Sequence, residues 1–128
     1  MREIKFRVWD KANKKWIYKV VIDNNGNLWA VIGKNFYNIK ILHPDDYNTV
    51  FFTGLKDKNG KEIYKGDYCK SKGCEGIIEF DSGCFSIKIL KEQEYYDIGQ
   101  SIYLCDYLAI FKDTEVVSNI YENPELIK

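Results

Sequence analysis

The chain offers few residues suited to making or breaking bonds. Histidine occurs once, at His43, and the next residue is Pro44. A hydroxyl or thiol nucleophile needs a base to take its proton, and no serine or cysteine lies close to His43 in sequence. A partner from a distant stretch stays open, but the simpler reading is a loop histidine that caps or packs. Asp45-Asp46 and Asp57 supply carboxylates in apparent turns. Catalytic carboxylates must face one another across a site, whereas aspartates in turns commonly bond the local backbone. No catalytic set is legible, and the expectation is a protein that is not an enzyme.

Metal and phosphate chemistry fare no better. Cys69, Cys74, Cys84 and Cys105 are separated by four, nine and twenty residues, with no histidine among them, which is not the paired spacing of a zinc site. Cys69, Cys84 and Cys105 read as small apolar residues facing a core, and Cys74 as part of a glycine-bounded turn. Asp57-Lys58-Asn59-Gly60-Lys61-Glu62 lacks the ligand spacing of a calcium loop, and Gly54 through Lys61 lacks the glycine spacing of a phosphate cradle. No cofactor and no metal is expected.

The residues that could bind rather than react are basic and aromatic. Arg7, Lys11, Lys14, Lys15 and Trp16 gather at one turn, and Lys56, Lys58, Lys61 and Lys65 at another. Lysines release counterions from phosphates, and exposed aromatics such as Trp16, Trp29 or Tyr37 would stack on unpaired bases. Lysines in turns also keep β proteins soluble and protect sheet edges. The net charge of zero argues against a general polyanion binder, yet it hides an asymmetry. Residues 1–72 hold fifteen Lys or Arg against eight Asp or Glu, and residues 73–128 hold four against eleven. Attraction between the halves, head-to-tail contact between copies, or a basic face for nucleic acid would each account for it.

These residues must be carried by short strands. Ile4, Phe6 and Val8 alternate with Lys5, Arg7 and Trp9 before the polar run from Asp10 to Lys14, which predicts a strand and a hairpin turn. Trp16 to Ile22 is expected as the return arm, followed by an Asn-rich turn and strands over 28–32 and 36–42. His43-Pro44-Asp45-Asp46 reads as a loop, and 49–53 as a further strand. Asn59-Gly60 is the pattern of a type I′ hairpin, and Gly66-Asp67 repeats that chemistry. Strands are expected over 68–72, 76–80 and 84–90, with a turn at Asp81-Ser82-Gly83. Lys91 to Tyr96 reads as a loop or helical turn, Ser101 to Phe111 as strand or helix, and Val116 to Tyr121 as strand. Asn123-Pro124 announces a short C-terminal helical turn.

No stretch between strands is long enough for a crossover helix, so the fold class is mainly β, a small antiparallel barrel or sandwich with hairpin turns. At 128 residues, with 45% apolar and 16% aromatic residues, a single domain with a sizeable core is expected. A β subregion over 1–50 and a barrel-like region over 51–128 is its natural subdivision. Met1 is followed by Arg2-Glu3-Ile4-Lys5 with no signal-like apolar run, and no stretch is apolar enough to span a membrane. A cytoplasmic protein with reduced thiols is the expectation.

Three stretches carry a resemblance. The opening Arg2 to Asp10, the central Thr53-Gly54-Leu55-Lys56-Asp57-Lys58-Asn59-Gly60-Lys61-Glu62-Ile63-Tyr64-Lys65-Gly66-Asp67, and the closing Asn119-Ile120-Tyr121-Glu122-Asn123-Pro124-Glu125-Leu126 are similar, in that order, to the YopX-like family of phage and prophage proteins. Residues 11–52 and 72–115 carry no matching motif. The resemblance implies a β-rich fold with barrel character, a phage or prophage context inside a bacterial host, and no activity that transfers to these residues. Because the central signature is rich in turn residues, Gly54, Asn59, Gly60, Gly66 and Asp67 read first as setters of backbone geometry.

Three functions remain in order of preference. The first is a self-associating interaction module without enzymatic activity, acting on a host or phage macromolecule. The second is a small nucleic-acid-binding barrel that uses the basic turns. The third is an enzyme whose site is not visible in sequence.

Overall fold

A computed structural model describes residues 5–31, 39–91 and 96–127. The chain divides into two compact units, Lys5–Phe51 and Phe52–Lys128 with Met1–Ile4. It is mainly β and antiparallel throughout. Arg2 to Ile4 of the opening motif, Ile32 to Asn38 of the expected strands, and Glu92 to Tyr95 lie outside the described residues.

In the first unit, β1 (Phe6–Asp10) pairs on one side with β2 (Lys15–Ile17) and on the other with the start of β6 (Tyr47–Lys56). A separate sheet orders β3 (Val20–Ile22), β4 (Leu28–Val31) and β5 (Ile39–Leu42), with β4 in the middle. The expected single arm from Trp16 to Ile22 is therefore two short strands. Its halves have different partners, β1 for Ile17 and β4 for Val20. The bend at Tyr18-Lys19, whose Lys19 carbonyl accepts from Val31 N–H at 2.9 Å, brings Ile17 and Val20 onto one core. In a straight strand, residues three apart point to opposite faces. That core is Val8, Leu28, Ala30 and Leu42, flanked by Phe6, Ile17, Val20 and Tyr47.

The second unit opens with the end of β6, which pairs with β7 (Glu62–Tyr64). The pairing steps from Phe52↔Tyr64 to Lys56↔Glu62, so three residues of β6 oppose Ile63 alone. Gly54 absorbs this bulge at φ +88°, and the Thr53 hydroxyl donates to the Ile63 carbonyl at 2.7 Å. Next come β8 (Asp67–Lys70), β9 (Glu75–Asp81), β10 (Cys84–Ile89), β11 (Ser101–Tyr103), α1 (Leu104–Ile110) and β12 (Glu115–Asn119). Their sheet runs β11-β10-β9-β8-β12. Ser101 to Phe111, open between strand and helix in sequence, is both in succession. A 3-10 turn over Pro124–Ile127 closes the described chain. Asn123 does not cap that turn through its side chain, whose amide donates instead to Ser118 Oγ.

Ile63, Cys69, Cys74, Ile78, Ile87, Ile89, Leu104 and Tyr107 form the second core. The Tyr107 hydroxyl donates to the Cys74 carbonyl at 3.1 Å, fastening α1 to the turn before β9. Cysteine placement follows expectation at Cys69, in the core, and at Cys74, in the turn before β9, and departs from it at Cys84 and Cys105. Cys69 and Cys74 are buried, Cys84 is half-buried, and Cys105 is exposed on α1. Side chains on a helix recur every three or four residues, so Leu104 and Tyr107 take the inward face and Cys105 turns outward. Burial, aided by the Glu75 charge, pushes the Cys74 thiol up to about 11, as befits a packing residue.

The turns differ from expectation in an instructive way. Asn59 is not at positive φ; Gly60 alone is, at +79°. Gly60 N–H donates to the Asp57 carbonyl and Asp57 N–H to the Lys61 carbonyl, while Asp57 Oδ1 accepts from Asn59 and Lys61 N–H at 2.9 Å each. By holding two amides, the carboxylate favours this wider loop over a two-residue type I′ turn. The type I′ signature falls instead at Ser82-Gly83, where φ is 52° and 83° between the paired Asp81 and Cys84. Gly66 likewise takes positive φ alone, at +87°, and the buried Asp67 accepts from Tyr64 N–H at 2.8 Å.

Gly66 is also where the central and closing motifs meet. Asn119 pairs with Asp67, Ile120 N–H donates to the Gly66 carbonyl, and a methyl group added at Gly66 would lie 2.5 Å from the Tyr121 ring. Gly66→Ala is expected to lower stability by about 2 kcal/mol, from positive φ plus the clash. Gly60→Ala, with nothing within 4 Å, should lose about 1 kcal/mol. Urea denaturation of the two variants checks the ranking, and equal losses would deny the Tyr121 contact its role.

Candidate functional site

The first basic turn is organised by an acid. Asp10 is 3% exposed and accepts from Ala12 N–H, Asn13 N–H and the Asn13 side-chain amide, the last at 2.8 Å. The Asn13 side chain holds its carboxyl below the ordinary value; burial opposes, and the two backbone N–H groups and Lys15 assist. Lys14 closes the turn at φ 52°. Lys11 Nζ donates to the Asp45 carbonyl at 3.0 Å, whereas Lys14 and Lys15 extend exposed side chains.

Arg7 and Trp16 do meet, but on each other. The guanidinium carbon lies 3.8 Å from the Trp16 ring centroid, and the Trp9 ring lies 4.9 Å away from the same ring. Trp16 is thus engaged by a cation and a second indole rather than standing out alone as a stacking platform. Trp29 is half-buried on β4, with its indole N–H donating to Asp23 Oδ2 at 3.0 Å. Tyr37 lies outside the described residues. His43 is an exposed loop residue whose Nδ1 accepts from Asp45 N–H at 3.3 Å and lies 3.6 Å from the Asp45 carboxylate.

In the second unit, Lys56, Lys58, Lys61 and Lys65 are all exposed. Lys56 stands opposite Glu62 in the ladder, and Lys58 Nζ lies 3.7 Å from Glu115 Oε2. Asp57 lies beneath them, with Oδ2 accepting from Val116 N–H at 2.9 Å. The Asp57 loop therefore ties its hairpin to β12. Among the described residues, no three of His, Cys, Asp and Glu stand together as metal ligands.

A feature missed in sequence is a repeated device. Asp23-Asn24-Asn25-Gly26-Asn27 has the same hydrogen bonds as Asp57 to Lys61: aspartate N–H to the fifth residue's carbonyl, glycine N–H to the aspartate carbonyl, and the third and fifth N–H groups to Oδ1. Among the described residues, each unit carries such a loop. The shared Asp-x-Asn-Gly pattern at 23–26 and 57–60 was the signal that could have revealed it.

A second missed feature is an apolar outer face on the β3-β4-β5 sheet. The register aligns Val21, Trp29 and Ile41 in one row across three strands. Leu28, Ala30 and Leu42, at the alternating positions, form the core. Yet the outer row is not polar, as an antiparallel sheet facing water usually is. Val21 is 43% and Ile41 51% exposed, with half-buried Trp29 between them.

These observations define a class: a small, two-unit antiparallel β protein, built from aspartate-held hairpins, that presents basic turns and an apolar sheet face. The family described as YopX protein matches residues 5–128, and the chain belongs to that family. The crystal structure of protein EF1440 from Enterococcus faecalis is similar in fold, with a TM-score of 0.62 and 24% identity over 100% of both chains. No curated protein matches the chain.

Proposed function

We propose that this protein is a non-enzymatic interaction module that associates with copies of itself through the outer face of the β3-β4-β5 sheet. The observation carrying this reading is the Val21-Trp29-Ile41 row, which puts apolar side chains on both faces of a three-stranded sheet. The row is uncharged, so two copies can lay it face to face without opposing like charges across the contact. The first unit holds eight Lys or Arg against four Asp or Glu, and the rest of the chain eleven against fifteen. Opposite charges on the two units favour further contacts between copies. A phage or prophage origin and action in the host cytoplasm, implied by the family resemblance, belong to the same reading, and four unpaired thiols suit a reducing compartment. Among the described residues, no helix is long and apolar enough to cross a membrane.

Sedimentation velocity at micromolar concentration tests the proposal. The expected result is a dimer or larger species that persists in high salt, and weakening by at least about 100-fold in Val21→Lys/Ile41→Lys, which removes two aliphatic groups from each copy, worth up to roughly 1.5 kcal/mol each on burial. Both sites are well exposed, so the variant should keep its melting temperature. A monomer at every salt concentration would defeat self-association, and salt-sensitive assembly unaffected by the two substitutions would move it to the charged surfaces. Salt-dependent binding of single-stranded DNA or RNA instead would favour the basic turn at Lys11, Lys14 and Lys15.

A further inference from the structure

The five-stranded sheet of the second unit has its own outer face. Phe85, Ile87 and Ile89 pack into the core, which turns Cys84, Ser86 and Lys88 the other way. On this side a groove of about 510 Å³ opens between the Asp81–Cys84 turn, β10, β11 and the start of α1. Its volume is that of a small-molecule site. The residues that give it chemical character are Asp81, Ser86, Tyr96, Gln100, Tyr103 and Asp106, and among the described residues lining it none is Lys, Arg or His.

Three observations converge. First, the two carboxylates lack cations among the described residues. Asp81 Oδ1 accepts from the Ser82 hydroxyl at 3.4 Å, and Asp106 Oδ1 lies 4.0 Å from the Cys105 sulfur. Elsewhere in this unit Glu75 is matched by Lys70 and Lys91, and Glu115 by Lys58. Second, Ser86 lies in the groove at only 6% exposure. Its hydroxyl has no hydrogen-bond partner among the described residues and is not one of the fully enclosed polar atoms, so the small part of Ser86 left open includes the oxygen that lines the groove. Third, Tyr103, 61% exposed, and Tyr96, held against Phe111 at a ring distance of 6.2 Å, supply π faces to the same groove. Carboxylates, an unused hydroxyl and phenol rings suit an organic cation even with Lys88 on the same face of β10, because Lys88 is not among the described lining residues, and the aromatic walls distinguish the ligand from a bare metal ion.

We propose that this groove binds an alkylammonium group, with Asp81 and Asp106 supplying charge, Ser86 accepting a hydrogen bond, and the tyrosine rings enclosing the methylene stem. The group could come from a free polyamine or from a lysine side chain. The proposal does not depend on self-association, since the groove lies within a single copy.

The test titrates the isotope-labelled full chain with spermidine and, separately, with an end-blocked Gly-Lys-Gly peptide, following amide resonances. Saturable shifts at Ser86 and Ser101 to Tyr103 are expected. Binding should weaken by about tenfold or more in Asp81→Asn/Asp106→Asn and several-fold in Ser86→Val. The aspartates are exposed, so unchanged resonances elsewhere would show that the double variant remains folded. Response to spermidine alone assigns the site to free amines, and response to the peptide alone assigns it to a protein-borne lysine. Failure of both probes to saturate, or saturation indifferent to Asp81→Asn/Asp106→Asn, overturns the proposal.

Discussion

Gly76→Ala is expected to lower stability by on the order of 4 kcal/mol, and the melting temperature by roughly 15 °C. Gly76 sits in β9 with a strand on each side, opposite Cys69 of β8 and Ile89 of β10. A methyl group there would lie 2.3 Å from the Lys88 carbonyl oxygen and 2.7 Å from Ile87 Cγ1. The first obstacle is backbone in the neighbouring strand, so rotating a side chain cannot relieve it. Either β10 shifts away from β9, or Ile87 leaves the core it helps to fill. Thermal unfolding followed by circular dichroism measures the effect, with Gly83→Ala as a comparison because nothing lies within 4 Å of its added methyl. A Gly76→Ala melt within a few degrees of the parent would mean that β9 and β10 are not so closely apposed.

Asp57→Ala should be nearly as damaging, at about 3 kcal/mol, because one carboxylate holds three backbone N–H groups. Val116 N–H lies in strand β12, so the loss spreads from the hairpin to a sheet edge. The same side chain predicts a pH dependence. Burial pushes the Asp57 carboxyl up, but the N–H groups of Val116, Lys61 and Asn59, with the Lys61 charge, outweigh it and leave the group below the usual 3.8. A carboxyl depressed in the folded state contributes stability above its unfolded value, and loses it as pH falls through the folded value. Urea denaturation across the acid range should therefore show Asp57→Asn to be less stable than the parent near neutrality and less pH-dependent below 3.8. Parallel acid limbs in the two proteins would remove Asp57 from that role.

Strands whose alternating residues had one partner on each side were legible from sequence. Phe85, Ile87 and Ile89 marked the inward face of β10, and Phe6 to Asp10 marked the first strand of the opening hairpin. Strands that change partners were harder to read. Trp16 to Ile22 has the composition of one strand, but only pairing shows that Ile17 belongs with Val8 and Val20 with Ala30. Turn positions were visible while turn types were not, because Asp57 selects the loop through bonds to Asn59 and Lys61 that the Asn-Gly dipeptide does not encode. Cys105 was misplaced because Ser101 to Phe111 changes from strand to helix, and with it the period of the buried face. Among the candidate binding residues, the basic turns could be seen as clusters, whereas Arg7 lying over Trp16 depends on cross-strand geometry. The groove was hidden for a similar reason: Asp81, Ser86 and Asp106 come together through the β10–β11 pairing and the helix that follows it.

The twin loops also bear on how the protein ages. Asn25-Gly26 and Asn59-Gly60 are the dipeptides in which the glycine nitrogen most readily attacks the asparagine side chain, expelling ammonia through a succinimide. In both loops that nitrogen is held as a donor, Gly26 to the Asp23 carbonyl and Gly60 to the Asp57 carbonyl. Deamidation must wait for the loop to open, so the slow appearance of aspartate and isoaspartate at these two positions serves as a clock, set by the chain itself, for how often each hairpin comes apart.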